Sequence, residues 1–385
     1  METMAHAVTF IHTSDLQIGM TRSFLPAEAQ SRFDDSRLRA VEKLGALATE
    51  HGAEFIVVAG DVFEHNALER ATLGRALEAL RKLPVPVYLL PGNHDPLVAD
   101  SIFASTEGIE GVTVLGSSEP IQVREGVEIV AAPLMTKYPS EDLCARAIRD
   151  LKPSENIRIL VGHGQVEGYG KEETAALINL PCLEAALDNG TIDYVALGDT
   201  HSSQSLGVSG RVWFSGSPET TDFLERESGG GEADSGNALV VGVEKQGLSS
   251  DVRVEKAPTG AWAFEARAWE VADAADVEQL IADLREYPNK DRTVVKYAIT
   301  GTLGLEANAT LQRELAALEP VFAALYERER LADLRLAPSD EELENVPLSG
   351  YAREAMHELV QRSATGADPA ARDAVNLLFR LSTEV

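Results

Sequence analysis

Three observations predict an α/β fold whose site lies at the carboxyl ends of its strands. Apolar runs at residues 8–12, 55–59, 85–90, 157–161 and 192–197 each stop at a polar turn. Helical spacing of apolar residues fills the gaps between the first three runs. Beyond residue 260 the alternation of strand and polar turn stops. In open sheets of this kind, ligands bind where the strands end.

At 385 residues the chain exceeds one compact core, so two or three structural units are expected. A hydrophobic content of 44% with 25% charged residues is ordinary for a soluble globular protein. The net charge of −28 and the pI near 4.6 count against nonspecific coating of a polyanion, unless basic residues cluster locally or metal ions supply positive charge. The two cysteines, Cys144 and Cys182, fall in helix-like sequence; they exclude a disulfide framework and a thiolate zinc site and fit a reducing compartment. No run approaches the roughly 20 apolar residues of a membrane span. The opening METMAHAVTF lacks a basic segment followed by a long apolar one, so the cytoplasm is the expected location.

The strand at 8–12 runs into Thr13-Ser14-Asp15-Leu16-Gln17, which sets a carboxylate and an amide two residues apart and so on one face of an extended segment. A helix is expected over 35–50, from Leu38, Val41, Leu44 and Ala48, ending near Gly52. The buried run 55–59 ends in Gly60-Asp61. A helix over 68–82 leads to the strand 85–90 and then to Pro91-Gly92-Asn93-His94-Asp95. Short alternating strands over 112–133 suggest a second sheet. The run 157–161 leads to His163, the run 192–197 to Gly198-Asp199-Thr200-His201, and 212–215 to Gly216-Ser217-Pro218-Glu219. Residues 227–236, ESGGGEADSG, read as a flexible hairpin tip.

After residue 260 a strand at 263–271, a helix bearing Val277, Leu280, Ile281 and Leu284, a strand at 293–300 and a helix bearing Leu311, Leu315, Leu318 and Phe322 predict a small α+β domain. An acidic linker, SDEELENV from Ser339, then precedes two amphipathic helices with Ala355, Met356 and Leu359, and with Val375, Leu378 and Leu381. The expected domains are therefore 1–260, 261–338 and 339–385.

Five strand ends deliver Asp15 and Gln17, Asp61, Asn93 and His94, His163, then Asp199 and His201. Hard oxygens mixed with imidazole suit two neighbouring divalent ions such as Mn²⁺, Mg²⁺ or Fe²⁺. Asp61, in the middle of the set, is the candidate bridge. Paired ions about 3.5–4 Å apart supply a nucleophilic water and clamp the oxygens of a phosphate during in-line displacement. His94 suits protonation of the leaving alkoxide, with Asp95 beside it to orient the ring.

The ordered set DLQ, GD, GNHD, HG and GDTH resembles the calcineurin-like metallophosphoesterases, whose usual pattern is DxH, GD, GNH[DE], H and GHxH. The resemblance covers roughly residues 8–260 and implies two packed mixed β-sheets flanked by helices. Within it, HTSDLQIG, GDVFEHN, PGNHD and FSGSPE look like the SbcD-type DNA repair nuclease subunits, and the trailing domain and helices look like their cap and partner-binding region. The resemblance implies Asp15 and His201 on a first metal, Asp61 bridging, Asn93 and His163 on a second, and His94 as proton donor. Gln17 and Asp199 stand where the family usually has histidine ligands, which makes both sites harder in character.

What it further implies is a Mn²⁺-type nuclease, exonuclease or endonuclease, acting in DNA repair and recombination on double-stranded ends. Its partners would be an SMC-like (SbcC-like) ATPase subunit, docked on the C-terminal helices, and a second copy of itself. Rival readings are a small-molecule phosphodiesterase or phosphatase, which the acidic pI would suit, and a scaffold protein with a weakened metal site. Candidate substrate contacts are His65, Arg22, Arg32, Ser215 and Ser217; Arg37 and Arg39 read as a solvated helix face. His6, His12, His51 and His357 read as structural.

Overall fold

The computed structural model describes residues 5–169, 176–364 and 369–383. It divides into two compact units. The first comprises residues 1–23, 30–222 and 232–262; the second comprises residues 24–29, 223–231 and 263–385.

In chain order the elements begin β1 (Ala5–Thr13), α1 (Ala27–Glu50), β2 (Ile56–Val58), α2 (Arg70–Arg81), β3 (Val87–Leu89), β4 (Val112–Val114), β5 (Ile121–Arg124), β6 (Val127–Ala131) and α3 (Leu143–Ile148). They continue with β7 (Ile157–His163), α4 (Leu180–Asp188), β8 (Tyr194–Gly198), β9 (Gln204–Leu206), β10 (Val212–Phe214), β11 (Leu224–Glu225), β12 (Gly230–Gly231), β13 (Asn237–Gln246) and β14 (Ser249–Pro258).

Two mixed sheets build the first unit, in the orders β14-β13-β1-β2-β3-β4 and β5-β6-β7-β8-β10-β9. Alternation along the strands decides which face is buried where. Phe55 and Val57 face inward with Val8 and Phe10 of β1, and meet Ile129, Ile159, Val161 and Tyr194 of the second sheet in a core between the sheets. Ile56 and Val58 face the other way, onto Val41 and Leu44 of α1 and Ala76 and Leu80 of α2. On the outer face of the second sheet, Leu160, Val195 and Leu197 pack on Cys144 of α3 and Leu183 and Leu187 of α4. The result is helix, sheet, sheet, helix, with both cysteines in helices and neither in a disulfide.

Strands β1 to β4 run parallel, as do β6, β7 and β8, so the loops after β1, β2, β3, β7 and β8 leave at carboxyl ends. Helix α1 starts eight residues before the expected 35, directly after Pro26, because Ala29 and Phe33 extend the buried stripe. Residues 112–133 are split: β4 joins the first sheet, while β5 and β6 open the second.

The second unit continues with β15 (Ala263–Val271), α5 (Ala274–Glu286), β16 (Thr293–Leu303), α6 (Leu305–Leu318), β17 (Ala324–Glu327), β18 (Asp333–Leu336), α7 (Asp340–Asn345), α8 (Tyr351–Ala364) and α9 (Pro369–Thr383). Here β15 lies parallel to β16, and β16 parallel to β17 and β18. The expected α+β domain is thus an α/β layer: two crossover helices, α5 and α6, lay Leu280, Leu284, Leu311 and Leu315 on Val295 and Ile299.

The expected boundary after 260 falls at 262; the expected third domain, 339–385, is not separate. Leu305 and Leu336 share one core with Val346, Met356 and Val375, which fixes the C-terminal helices to the same unit. The acidic stretch read as a linker is helix α7, started by Ser339 and Glu342 in a reciprocal capping box.

Among the described residues no helix is long and apolar enough to cross a membrane.

Candidate metal centre

Asp15 follows β1, Asp61 follows β2, Asn93 follows β3, His163 ends β7, and Asp199 and His201 follow β8. The first two loops are held together by backbone pairing: Asp15 N–H donates to Gly60 O at 3.0 Å and Gln17 N–H to Asp61 O at 2.9 Å. Among the described residues, the non-glycines with positive φ are Asp15 (52°), Gln17 (42°), Asp61 (54°) and Asp199 (99°), all of them candidate ligands. Backbone in this region costs an L-residue energy and persists where surrounding contacts impose it.

Ligand atoms of Asp15, Asp61 and His163 lie within 4.8 Å of one another, and all three residues are buried. His163 Nδ1 donates to Ala59 O at 2.8 Å, so in the neutral ring Nε2, the nitrogen facing Asn93 and Asp61, carries the lone pair. Asn93 Oδ1 stands 2.9 Å from that Nε2, and Asp61 Oδ1 stands 3.4 Å from it. Asp199 Oδ1 is 3.8 Å from His163 Nε2, and its own N–H donates to Asp15 Oδ2 at 3.2 Å. On the other side His201 Nε2 lies 3.4 Å from Gln17 Nε2 and 3.9 Å from Asp15 Oδ1. All seven expected ligands are therefore brought together.

Divalent ions fit this donor set. Asp15 Oδ1 and Gln17 Oε1 are buried without a hydrogen-bond partner, and Asn93 Oδ1, the Asp61 carboxylate and His163 Nε2 are acceptors pointed at one another. Turning the Asn93 amide over would relieve part of this, with Nδ2 at 3.1 and 3.2 Å from the two Asp61 oxygens. Divalent cations held among them would satisfy these acceptors. The charges agree: burial pushes the Asp15 and Asp199 carboxyls up from their usual range, as expected of anions lacking a counter-ion. Burial also works against charge on His163, but the hydrogen-bonded Asp61, with Asp15 and Asp199, raises that imidazole well above its ordinary value. Glycines clear the space. A Cβ on Gly92 would sit 2.1 Å from Asp61 Oδ1, and one on Gly60 2.1 Å from His163 Nδ1.

His94 is half-buried at the edge of the centre. Its Nδ1 donates to Glu64 O at 3.0 Å, with Glu64 Oε1 at 3.7 Å, so Nε2 is the ring nitrogen not used by Glu64. The expectation that Asp95 orients this ring is corrected. Asp95 is fully buried and accepts the N–H groups of Gly92 (2.8 Å) and Phe63 (2.9 Å), so it ties the β2 and β3 loops together. Burial beside Asp61 pushes its carboxyl up to about 7.

Most of the expected substrate contacts are used elsewhere. Ser215 Oγ pairs with Ser14 Oγ at 2.8 Å and Ser217 Oγ donates to Asp15 O at 2.8 Å; both serines are fully buried and brace the first metal loop. Arg22 Nε donates to Thr221 O at 2.9 Å. Arg37 is not on a solvated face: it is 3% exposed and its Nε and Nη2 hold Leu16 O, between Asp15 and Gln17, at 3.1 and 2.8 Å. Arg39 is exposed and paired with Asp35 at 2.6 Å. Arg32 is half-buried, and His65 is exposed with its Nδ1 accepting Ala67 N–H. His12 is structural: fully buried, it spans Tyr194 OH (3.0 Å) and Leu197 O (3.2 Å).

One residue was missed. Glu232 lies in the stretch read as a flexible tip, yet its side chain is 5% exposed and its Oε2 stands 3.3 Å from His201 Nδ1. Thr221 Oγ, 2.5 Å from the same nitrogen, donates to Glu232 Oε2, and Thr221 N–H donates to Oε1 at 2.7 Å. Burial opposes its charge, but His201 and these donors hold the Glu232 carboxyl down at about 2. Only the acid four residues before Gly236 marked it in the sequence, and glycine-rich surroundings argued the other way.

Residues 8–203, about half of the chain and a span holding all seven ligands, match the model of the calcineurin-like phosphoesterases. The chain belongs to that family. The family is one of metal-using phosphoesterases, and Asp15, Asp61 and His163 form a cluster able to hold such a metal. It is 28% identical over 213 residues to the uncharacterized metallophosphoesterase YhaO of Bacillus subtilis, covering 52% of this chain and 50% of that protein. It is 25% identical over 239 residues to the DNA double-strand break repair protein Mre11 of Archaeoglobus fulgidus, covering 56% and 51%. The chain thus spans about half the length of these curated relatives. Among solved structures it is similar to a dimetal phosphatase from Danio rerio, with a TM-score of 0.39 and 10% identity over 65% of this chain and 98% of that one.

Proposed function

We propose that this phosphoesterase hydrolyses phosphodiester bonds at double-stranded DNA ends, with Mn²⁺ or Mg²⁺ preferred over Zn²⁺, as the nuclease subunit of an SbcCD-like repair complex in the cytoplasm. The placement of His94 carries the hydrolytic reading: its backbone N–H is tied to Asp61 Oδ1 at 3.0 Å, and its ring Nδ1 is committed to Glu64 O, which leaves Nε2 for proton transfer. Likeness to a DNA double-strand break repair protein supports DNA as the substrate. The oxygen-rich donors Gln17 and Asp199 support the harder ions.

When bound, the ions supply Lewis-acid polarisation of the phosphoryl group and a nucleophile at neutral pH. Asp15, Gln17 and His201 would hold one ion, Asn93, His163 and Asp199 the other, and Asp61 both. With both ring nitrogens protonated, His94 gives its Nε2 proton to the departing alkoxide as the phosphorus–oxygen bond breaks and is left neutral, its Nδ1–H on Glu64 O keeping the ring aimed through that transfer. Asp95 and Arg37 keep the loops from drifting by holding backbone atoms on either side of the centre. An SMC-like ATPase would engage the C-terminal helices, whose outer side exposes Leu377 and Leu381.

A second reading rests on the arginines. Arg22 and Arg37 are spent on carbonyl oxygens and Arg39 on Asp35, which leaves less of a basic groove than DNA would use and favours a small phosphodiester.

The test is purified protein with Mn²⁺, offered linear double-stranded DNA, bis(p-nitrophenyl) phosphate and p-nitrophenyl phosphate, beside a His94→Ala control. Cleavage of DNA that the control lacks supports the nuclease. Cleavage of only the small diester moves the assignment to the second reading. Equal behaviour of protein and control on every substrate leaves a scaffold.

A further inference from the structure

We propose that Glu232, acting through Thr221, is the positioning residue that makes His201 a metal ligand; the inference rests on the metal centre assigned above. His201 has two nitrogens and only one of them can serve the centre. Nε2 faces Gln17 and Asp15, so Nδ1 must carry the proton if Nε2 is to offer a lone pair. Within the centre that tautomer is only weakly set: the Gln17 Nε2 donor lies 3.4 Å from Nε2, and the Asp15 Oδ1 acceptor at 3.9 Å favours an Nε2–H instead.

Glu232 and Thr221 settle the choice at the other nitrogen. Nδ1–H donates to Thr221 Oγ at 2.5 Å, and the Thr221 hydroxyl passes its own proton to Glu232 Oε2, itself 3.3 Å from Nδ1. Thr221 N–H on Oε1 at 2.7 Å keeps the carboxylate from rotating away, and Arg22 holds Thr221 O from behind at 2.9 Å. A carboxylate buried to 5% exposure needs such donors, and every one of the contacts named here serves the His201 ring or the residue that touches it. His163 gets the same instruction from Ala59 O. The two imidazoles are therefore fixed by different means, one by backbone and one by a side chain that substitution can remove. Outer partners of this kind are worth about 10–100-fold in metal affinity.

The experiment titrates Mn²⁺ alone into metal-free protein by calorimetry, for wild type, Glu232→Leu, Glu232→Gln and Thr221→Val. Wild type is expected to bind two ions. Glu232→Leu should lose about 10–100-fold in one of them and keep the other, with Glu232→Gln between and Thr221→Val shifted in the same site. Nitrogen-15 shifts of His201 in the metal-free protein should report Nδ1–H in wild type and move toward Nε2–H in Glu232→Leu. The inference is overturned if Glu232→Leu binds both ions as wild type does, if both sites weaken equally, or if its His201 tautomer is unchanged. Should Glu232→Leu melt early, Thr221→Val, which removes one hydroxyl and no charge, decides the same question. Wild type that binds no Mn²⁺ overturns the metal centre itself, a result separate from all of these.

Discussion

The carboxylate of Asp61 accepts the backbone N–H of His94, 3.0 Å away. One side chain thereby belongs to the ligand set and also sets the turn that carries the acid, so removing the acid and removing the ligand are different experiments.

Replacing His94 by alanine leaves the Asp61 contact in place, since the N–H is backbone. Hydrolysis of a phosphodiester should fall about 10²–10⁴-fold while bound Mn²⁺ per chain stays at the wild-type value. Elemental analysis beside steady-state rates checks both halves.

Gly92→Ala acts on the ligand instead. The new Cβ would meet Asp61 Oδ1 at 2.1 Å and Asp61 N at 2.4 Å, and neither backbone nor a fixed carboxylate can give way cheaply. Mn²⁺ binding should be lost together with hydrolysis, measured by the same titration as above; Gly74→Ala, where a Cβ meets open space, is the control.

Asp95→Ala orphans the N–H groups of Gly92 and Phe63. Each unsatisfied buried donor costs about 1–3 kcal/mol, so urea midpoints should fall by a correspondingly large step. An Asp95→Asn protein keeps one acceptor oxygen and should fall in between.

His12 gives a pH dependence that owes nothing to metal. Burial lowers its pKa from 6.5 to about 3, so between those values the unfolded chain binds the proton and the folded one does not. Stability should therefore fall as pH drops from 6.5 toward 3, by an amount on the order of a few kcal/mol. His12→Asn should flatten that part of the curve in chemical denaturation run at a series of pH values, whatever it does to stability at pH 7.

Far from the centre, Lys245 Nζ meets Asp193 Oδ2 at 2.8 Å with both side chains essentially unexposed. Breaking the pair with Asp193→Ala strands a buried ammonium and should cost about 3–5 kcal/mol, seen as a large drop in melting temperature with metal binding retained in the folded fraction.

The strand ends were legible in the sequence because each apolar run stops at a residue that cannot be buried without a purpose. Asp15, Asp61, Asn93, His163, Asp199 and His201 all stand where that rule put them. What the sequence hid was direction. Asp95 is adjacent to His94, but the tight turn sends its carboxylate back to Gly92 and Phe63. Arg37 sits among polar helix residues, and only the approach of Leu16 O turns its face into an interior one. Glu232 is 31 residues from His201, and no local pattern announces a pairing that the return of the chain after Gly231 creates. The parallel sheet of the second unit was likewise unreadable, since the strands β15, β16 and β17 look the same in either direction until their partners are known.

The four left-handed residues at the centre set stability against ligand supply. Each such residue costs about 1–3 kcal/mol, and glycine would relieve the strain at Gln17, whose φ is 42°. Gln17→Gly would therefore gain backbone ease and lose the buried amide oxygen, so at this position fold stability and ligand supply pull in opposite directions.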